Sequence, residues 1–268
     1  QHLIQAYELP TKVGRYDTSS FSVHHAVPEE GEPPRELLRF GHSKDNQPGR
    51  LQFKQGLGTL DRAGVPLLTH TLSGEVADDG LYLPAWRQMQ ATLGRNDFLF
   101  VADCKAAAMQ TRAGIATCQG SYLFPLPMTG ETPAWLQRQI SQVTAKEIVL
   151  PELVDKSGQP KVLGEGFVVE RSMSHIQADQ QTFIWQEQWF VTRSYSLTAR
   201  QQASLQRRLS RTEQDLQRMH AKKEETLDAF THRIHQILHK RNMAEFLQVE
   251  VGKTITTVKR YLNPGRPG

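Results

Sequence analysis

A chain of 268 residues that is 38% hydrophobic and 8% aromatic holds enough apolar material for one large domain or two modest ones, which excludes a disordered or fibrous protein. No apolar run approaches the roughly 18 to 20 residues that span a bilayer, QHLIQAYELP lacks the basic start and apolar core of a secretory signal, and two cysteines are too few for a disulfide framework or zinc module, so the cytoplasm is the expected compartment. The net charge of +4 is unevenly placed: between Leu197 and Arg241 stand ten Lys or Arg against five acids, the electrostatic footprint expected for a polyanion such as DNA.

In chain order, VGRYDTSSFSVHH (13 to 25) is rich in β-branched and aromatic residues and predicts a strand carrying Asp17. A stretch dense in Pro, Gly and charge follows as a loop, and residues 51 to 74 predict two strands turned at DRAG, a hairpin signature with Gly at the turn. LYLPAWRQMQATLG has helical spacing and a Gly stop. FLFVADCKAAA (98 to 108) then runs apolar for five residues before reaching Asp103, which predicts a buried strand ending on an acid, where open α/β sheets put ligand chemistry. A second helix (AAAMQTRAGIATCQG) and a strand (SYLFPLP) complete an α/β layered domain with a mixed sheet. Cys104 and Cys118 read as small buried or half-buried thiols.

From about Glu131 the character changes. TPAWLQRQISQV reads as a helix, and residues 161 to 196 as two long strands joined at QADQQ. Alternation puts Phe183, Trp185, Trp189 and Val191 on one face together with Glu187, and two Trp at period two are expected to be sheet core rather than stacking platforms for a flipped base. Residues 198 to 241 carry two apolar stripes, Leu205, Leu209, Leu216 and Met219, then Leu227, Phe230, Ile234, Ile237 and Leu238, which two antiparallel helices bent at AKKEE would bury together. FLQVEVG and TITTVKRYL predict two final strands. The chain opens without Met and stops at NPGRPG, as expected of a piece of something longer.

Two carboxylates on separate strands of one sheet, Asp17 and Asp103, form the start of a metal-ion clamp, since Mg²⁺ takes hard oxygen ligands. A strand-end Asp is also a common turn cap or solvated edge residue, and pattern alone leaves both open. His24 and His25 are adjacent, so on a strand they point to opposite faces and do not chelate together.

YDTSSFSVHH, then GHSKDNQPGRLQFKQGLGTLDRAGVPLLTHTLSGEVAD, then FLFVADCKAAA resemble the successive blocks of the DDE transposases of bacterial insertion sequences, in the insertion-sequence-four-like branch; the likeness covers most of residues 13 to 128. The resemblance implies a ribonuclease-H-like core beginning in residues 1 to 130, an inserted β-hairpin and basic helical hairpin in 131 to 255, and a tail or return to the core in 256 to 268. It implies strand cleavage and strand transfer on double-stranded DNA, with two Mg²⁺ or Mn²⁺ ions held by three acids, in a homodimer on paired transposon ends in the bacterial cytoplasm. Asp17 matches the first acid, which bridges both ions, and Asp103 the second, which binds one. The third, a Glu on a helix in a Tyr, Arg, Glu, Lys pattern, has no counterpart: Glu170, Glu187, Glu245 and Glu250 fall inside the inserted region. The second block has Asp103-Cys104-Lys105 where Asp-Arg-Gly is the familiar form, with Lys105 keeping a positive charge beside the acid. A chain with two of three acids is expected to be inactive alone, and a non-catalytic DNA-binding remnant is the alternative. His42 and Lys44 in GHSKDNQPG, Lys105 beside the second acid, and the helix positions Arg207, Arg211, Arg218 and Lys222 are candidates for contacts to DNA, against the simpler reading of a polar turn and a solvated helix face.

Overall fold

The computed structural model describes residues 2–26, 33, 35–42, 47, 49–62, 64–145, 148–177, 179–222, 225–252, 261–263 and 266–267. These form two compact units, Gln1–Val149 with Val168–Phe190, and Leu150–Phe167 with Val191–Gly268.

In the first unit a short helix α1 (His2–Ala6) leads into β1 (Val13–Ser22), β2 (Gln52–Leu60) and β3 (Val65–Ser73), followed by helix α2 (Tyr82–Leu93) and strand β4 (Leu99–Val101). A 3-10 turn (Cys104–Ala107), helix α3 (Met109–Thr117), strand β5 (Ser121–Leu123) and helix α4 (Thr132–Thr144) follow. The strands make one sheet in the order β3-β2-β1-β4-β5. β1, β2 and β3 are antiparallel neighbours, while β4 runs parallel to both β1 and β5. This mixed five-stranded sheet with flanking helices is a ribonuclease-H-like α/β architecture.

The period of two decides which face is covered. Gly14, Tyr16 and Thr18 of β1 and Gln52, Lys54, Gly56, Gly58 and Leu60 of β2 are buried, whereas Arg15, Asp17 and Leu57 are exposed on the other face. The buried face packs with Tyr82, Ala85, Trp86 and Met89 of α2 and with Phe98, Phe100 and Ile115 into the main core. Gly56 has no room for a side chain, because a Cβ there would overlap the Tyr16 hydroxyl. The DRAG turn closes as expected, with Arg62 and Gly64 at positive φ and the Arg62 amide donating to Asp61 at 2.9 Å. α2 ends where Gly94 adopts φ 69 and donates its amide to the Gln90 carbonyl.

Strands β6 (Glu152–Asp155), β7 (Lys161–Ile176) and β8 (Thr182–Ser194) form a three-stranded sheet in that order, with residues of β7 and β8 in both units. The second unit continues with α5 (Tyr195–Gln217) and α6 (Leu227–Lys240), capped by the Ser194 and Thr226 hydroxyls. The two predicted stripes meet: Ile234, Leu238 and Met243 are buried among Leu205, Leu209, Leu216, Met219 and Phe230. A final pair, β9 (Tyr261–Asn263) and β10 (Arg266–Pro267), is antiparallel.

Three sequence expectations change. FLQVEVG is not a strand; Leu247, Val249 and Val251 do alternate inward, but against the helical pair rather than on a ladder. The helix expected from Ala106 starts at Met109, because Ala108 takes an extended ψ of 138 and splits off the 3-10 turn. Cys104 opens that turn on its solvent side and is exposed, whereas Cys118 is half-buried. Most of TITTVKRYL lies outside the described residues.

Candidate active site

β4 is only three residues long, so Asp103 stands two residues past it and caps the 3-10 turn, its carboxylate accepting from the Lys105 amide. The parallel ladder between β1 and β4 pairs Val13 with Leu99, Gly14 with Phe100 and Arg15 with Val101. Asp17, within β1, and Asp103, past the carboxyl end of β4, therefore each lie two residues beyond the last pair. Asp17 is exposed, and its Oδ1 accepts from the Thr18 amide at 2.7 Å.

Around these two acids the fold gathers groups that sequence reasoning missed. Asp78, 3% exposed in the turn before α2, accepts from Lys54 Nζ at 2.8 Å through Oδ1 and from Lys105 Nζ through Oδ2. Lys54, 5% exposed, also donates to the Val76 carbonyl. Burial alone would push the Asp78 carboxyl up; the hydrogen bonds and charges of Lys105 and Lys54 outweigh it and hold it below the usual carboxylate value. Tyr82, in the first turn of α2 and 0% exposed, donates its hydroxyl to Asp103 Oδ1 at 2.6 Å, and the Lys105 amide donates to the same oxygen at 3.0 Å.

Burial drives the Tyr82 hydroxyl far above its ordinary pKa, helped by Asp103 and by the charges of Asp78 and Asp17. Tyr16 is pushed up to about 12 by burial, then by the same Asp78 and Asp17 charges. Both phenols stay protonated donors near neutrality. A legible signal for this cluster did exist: Lys54 occupies a core-facing strand position, and a buried ammonium requires a counter-charge.

The donor set suits a hard cation. Two carboxylates, one exposed and one with Oδ2 receiving no hydrogen bond from a described group, match Mg²⁺, which is bound through one or two carboxylates and keeps several waters. Asp78 does not extend the set, since two ammonium groups occupy it. Among the described residues no three His, Cys, Asp or Glu side chains form a metal-binding group.

The remaining candidates are dispersed. His42 is exposed in a loop, and Lys44 lies outside the described residues. His24 and His25 each meet a different guanidinium at 2.7 Å, Arg50 and Arg35 respectively. Arg207 and Arg211 are exposed on α5, Arg218 caps its end, and Lys222 is exposed in the segment that follows. Arg200 joins them: 200, 207, 211 and 218 follow one helical stripe, and no described acid forms an ion pair with any of the four. Trp185 is core, as expected, and donates to Tyr122 and Glu187; Trp189 is half-buried, with the Arg171 guanidinium 4.3 Å from its ring centre and Trp135 edge-on at 4.8 Å. Among the described residues no helix is long and apolar enough to cross a membrane.

No family model and no curated protein matches this chain. Among solved structures it is similar to the Mos1 transposase paired-end complex with the left transposon end, at 12% identity over 53% of this chain and 44% of that one, TM-score 0.28. It is similar also to the Mos1 mariner paired-end complex with Mn, at 16% identity over 53% and 46%, TM-score 0.28. A third is Ciona intestinalis Endonuclease V in complex with a 24mer DNA containing an inosine followed by a ribo-adenosine, at 12% identity over 57% and 64%, TM-score 0.26. The chain spans less than half the length of the Mos1 chains it matches. Likenesses of this size carry no functional weight.

Proposed function

We propose that this chain carries the first two metal-ligating acids of a DDE-type transposase core, of the insertion-sequence-four-like branch, and acts on double-stranded DNA. One observation supports the reading: Asp17 on β1 and Asp103 just past β4 each follow by two residues the Arg15 and Val101 pair that ends the parallel ladder. Asp17 and Asp103 are the residues that would hold Mg²⁺ or Mn²⁺. A cation bound there supplies stabilisation of the charge that develops on the oxygens of a phosphodiester during displacement. Lys105, beside Asp103, and His42 are assigned to the DNA backbone, as is Lys44, two residues on from His42 in sequence. Two protein ligands hold a hydrated ion weakly, so this chain by itself is expected to cleave DNA little or not at all. The working assembly is a homodimer on paired ends.

DNA contact is assigned to the α5 stripe. From Arg200 to Arg218 the helix rises about 27 Å at 1.5 Å per residue, somewhat less than the roughly 34 Å turn of a duplex. Four phosphates neutralised correspond to a slope of about −3.6 for log affinity against log salt. These contacts fix position on the duplex without reading sequence.

The test measures duplex affinity by fluorescence anisotropy with Mn²⁺ and with chelator. The reading expects Mn²⁺, which Asp17 and Asp103 would hold, to tighten binding several-fold, an increment lost in Asp17→Asn and in Asp103→Asn. Salt-dependent binding that ignores chelator and both substitutions would establish the alternative, a DNA-binding remnant with idle acids.

A further inference from the structure

Asp103 is held by a crossed pair of links between two short turns. The turn entering α2 supplies Asp78 and, four residues on, Tyr82; the turn after β4 supplies Asp103 and, two residues on, Lys105. Tyr82 reaches across to Asp103, and Lys105 reaches back to Asp78. Tyr82 has no freedom of its own: it is 0% exposed, belongs to the main core and stands edge-on to Tyr16 at 5.8 Å. Its hydroxyl and the Lys105 amide converge on one oxygen, Oδ1, at 2.6 and 3.0 Å, while no described group donates to Oδ2.

Resting on the metal reading above, we infer that Tyr82 is a positioning residue for Asp103: it occupies Oδ1 and so presents Oδ2 as the single oxygen that Asp103 offers to a divalent cation. A carboxylate with both oxygens free can turn between one-oxygen and two-oxygen ligation. This one cannot turn without breaking the Tyr82 and Lys105 hydrogen bonds. Partners of this kind, which orient a ligand without touching the metal, are typically worth 10- to 100-fold in metal affinity.

The experiment is a Mn²⁺ titration of the full chain, read from the electron paramagnetic resonance signal of free aqueous Mn²⁺, for the unsubstituted chain, Asp103→Asn and Tyr82→Phe. Phe keeps the ring and its packing and deletes only the hydroxyl; thermal melts of each variant set a titration temperature at which all are folded. The expected result is Mn²⁺ binding by the unsubstituted chain, loss of it in Asp103→Asn, and binding roughly tenfold weaker in Tyr82→Phe. A purely structural hydroxyl would lower the melting temperature and leave Mn²⁺ affinity where it was, and that outcome, with Asp103→Asn still defective, overturns the positioning role alone. No Mn²⁺ binding by the unsubstituted chain overturns the metal reading itself, and the inference with it.

Discussion

Glu187 and Asp103 are two carboxylates of the same unit, each accepting a Tyr hydroxyl at 2.6 Å, and they have opposite fates. Glu187 sits on the inward face of β8, 9% exposed, and both its oxygens are filled. Oε1 accepts from Arg112 at 3.0 Å, Tyr122 at 2.6 Å and Trp185 at 3.1 Å, and Oε2 from Arg112 at 2.8 Å and Trp189 at 2.7 Å. Asp103 has one oxygen doubly occupied and the other without a described donor. A carboxylate whose acceptor capacity is exhausted by the protein is a structural strut; one with an oxygen to spare keeps the acceptor capacity that the proposed ligand role requires.

The sharpest way to break this contrast is to remove Glu187. Its loss leaves the buried Arg112 guanidinium without a counter-charge and the Tyr122 and Trp189 donors unmatched, so Glu187→Ala is expected to cost roughly 3–5 kcal/mol in urea unfolding while Mn²⁺ binding by the folded protein is unchanged. Asp78→Asn tests the intermediate case, a buried acid engaged by two lysines of which Lys105 is partly exposed. It is expected to destabilise by about 3 kcal/mol, at the low end for a broken buried pair. The acid limb gives the sign. The folded Asp78 carboxyl is held below its unfolded value of about 3.9, so its contribution is present above that pH and is lost as pH falls through the folded value. Acid unfolding followed by circular dichroism is expected to be shallower at its low-pH end in Asp78→Asn.

At the other extreme, Asp17 is exposed on the uncovered face of the sheet, and Asp17→Asn is expected to leave unfolding within about 0.5 kcal/mol of the original while abolishing the Mn²⁺ site. Smallest of all is Arg211→Ala, which removes one of the four proposed phosphate contacts: the salt slope of duplex binding is expected to drop by about 1, equally for duplexes of different sequence.

The architecture was largely legible because its signals are local. The apolar run into Asp103, the DRAG turn and the two helical stripes each specify an element within a dozen residues, and the observed sheet, turn and helical pair follow them. What stayed hidden depends on partners far apart in sequence. Tyr82 reaches Asp103 across 21 residues, and Lys105 reaches Asp78 across 27. Glu187 was legible as an acid on an apolar face, but not the Arg112 that explains it, 75 residues away. The strand expected at FLQVEVG failed for a related reason: alternation says that every second residue is buried and leaves open whether the covering surface is a ladder or a pair of helices.

The central claim is that Asp17 and Asp103 share one cation site, and iron-directed cleavage of the chain tests it most directly. Fe²⁺ substituted for Mg²⁺, with ascorbate and peroxide, generates hydroxyl radicals that cut the backbone beside the bound ion. Cuts near residue 17 and near residue 103 together, suppressed by excess Mg²⁺ and absent from Asp17→Asn, are the expected outcome. Cuts at only one of the two positions, or cuts that persist in Asp17→Asn, would contradict it.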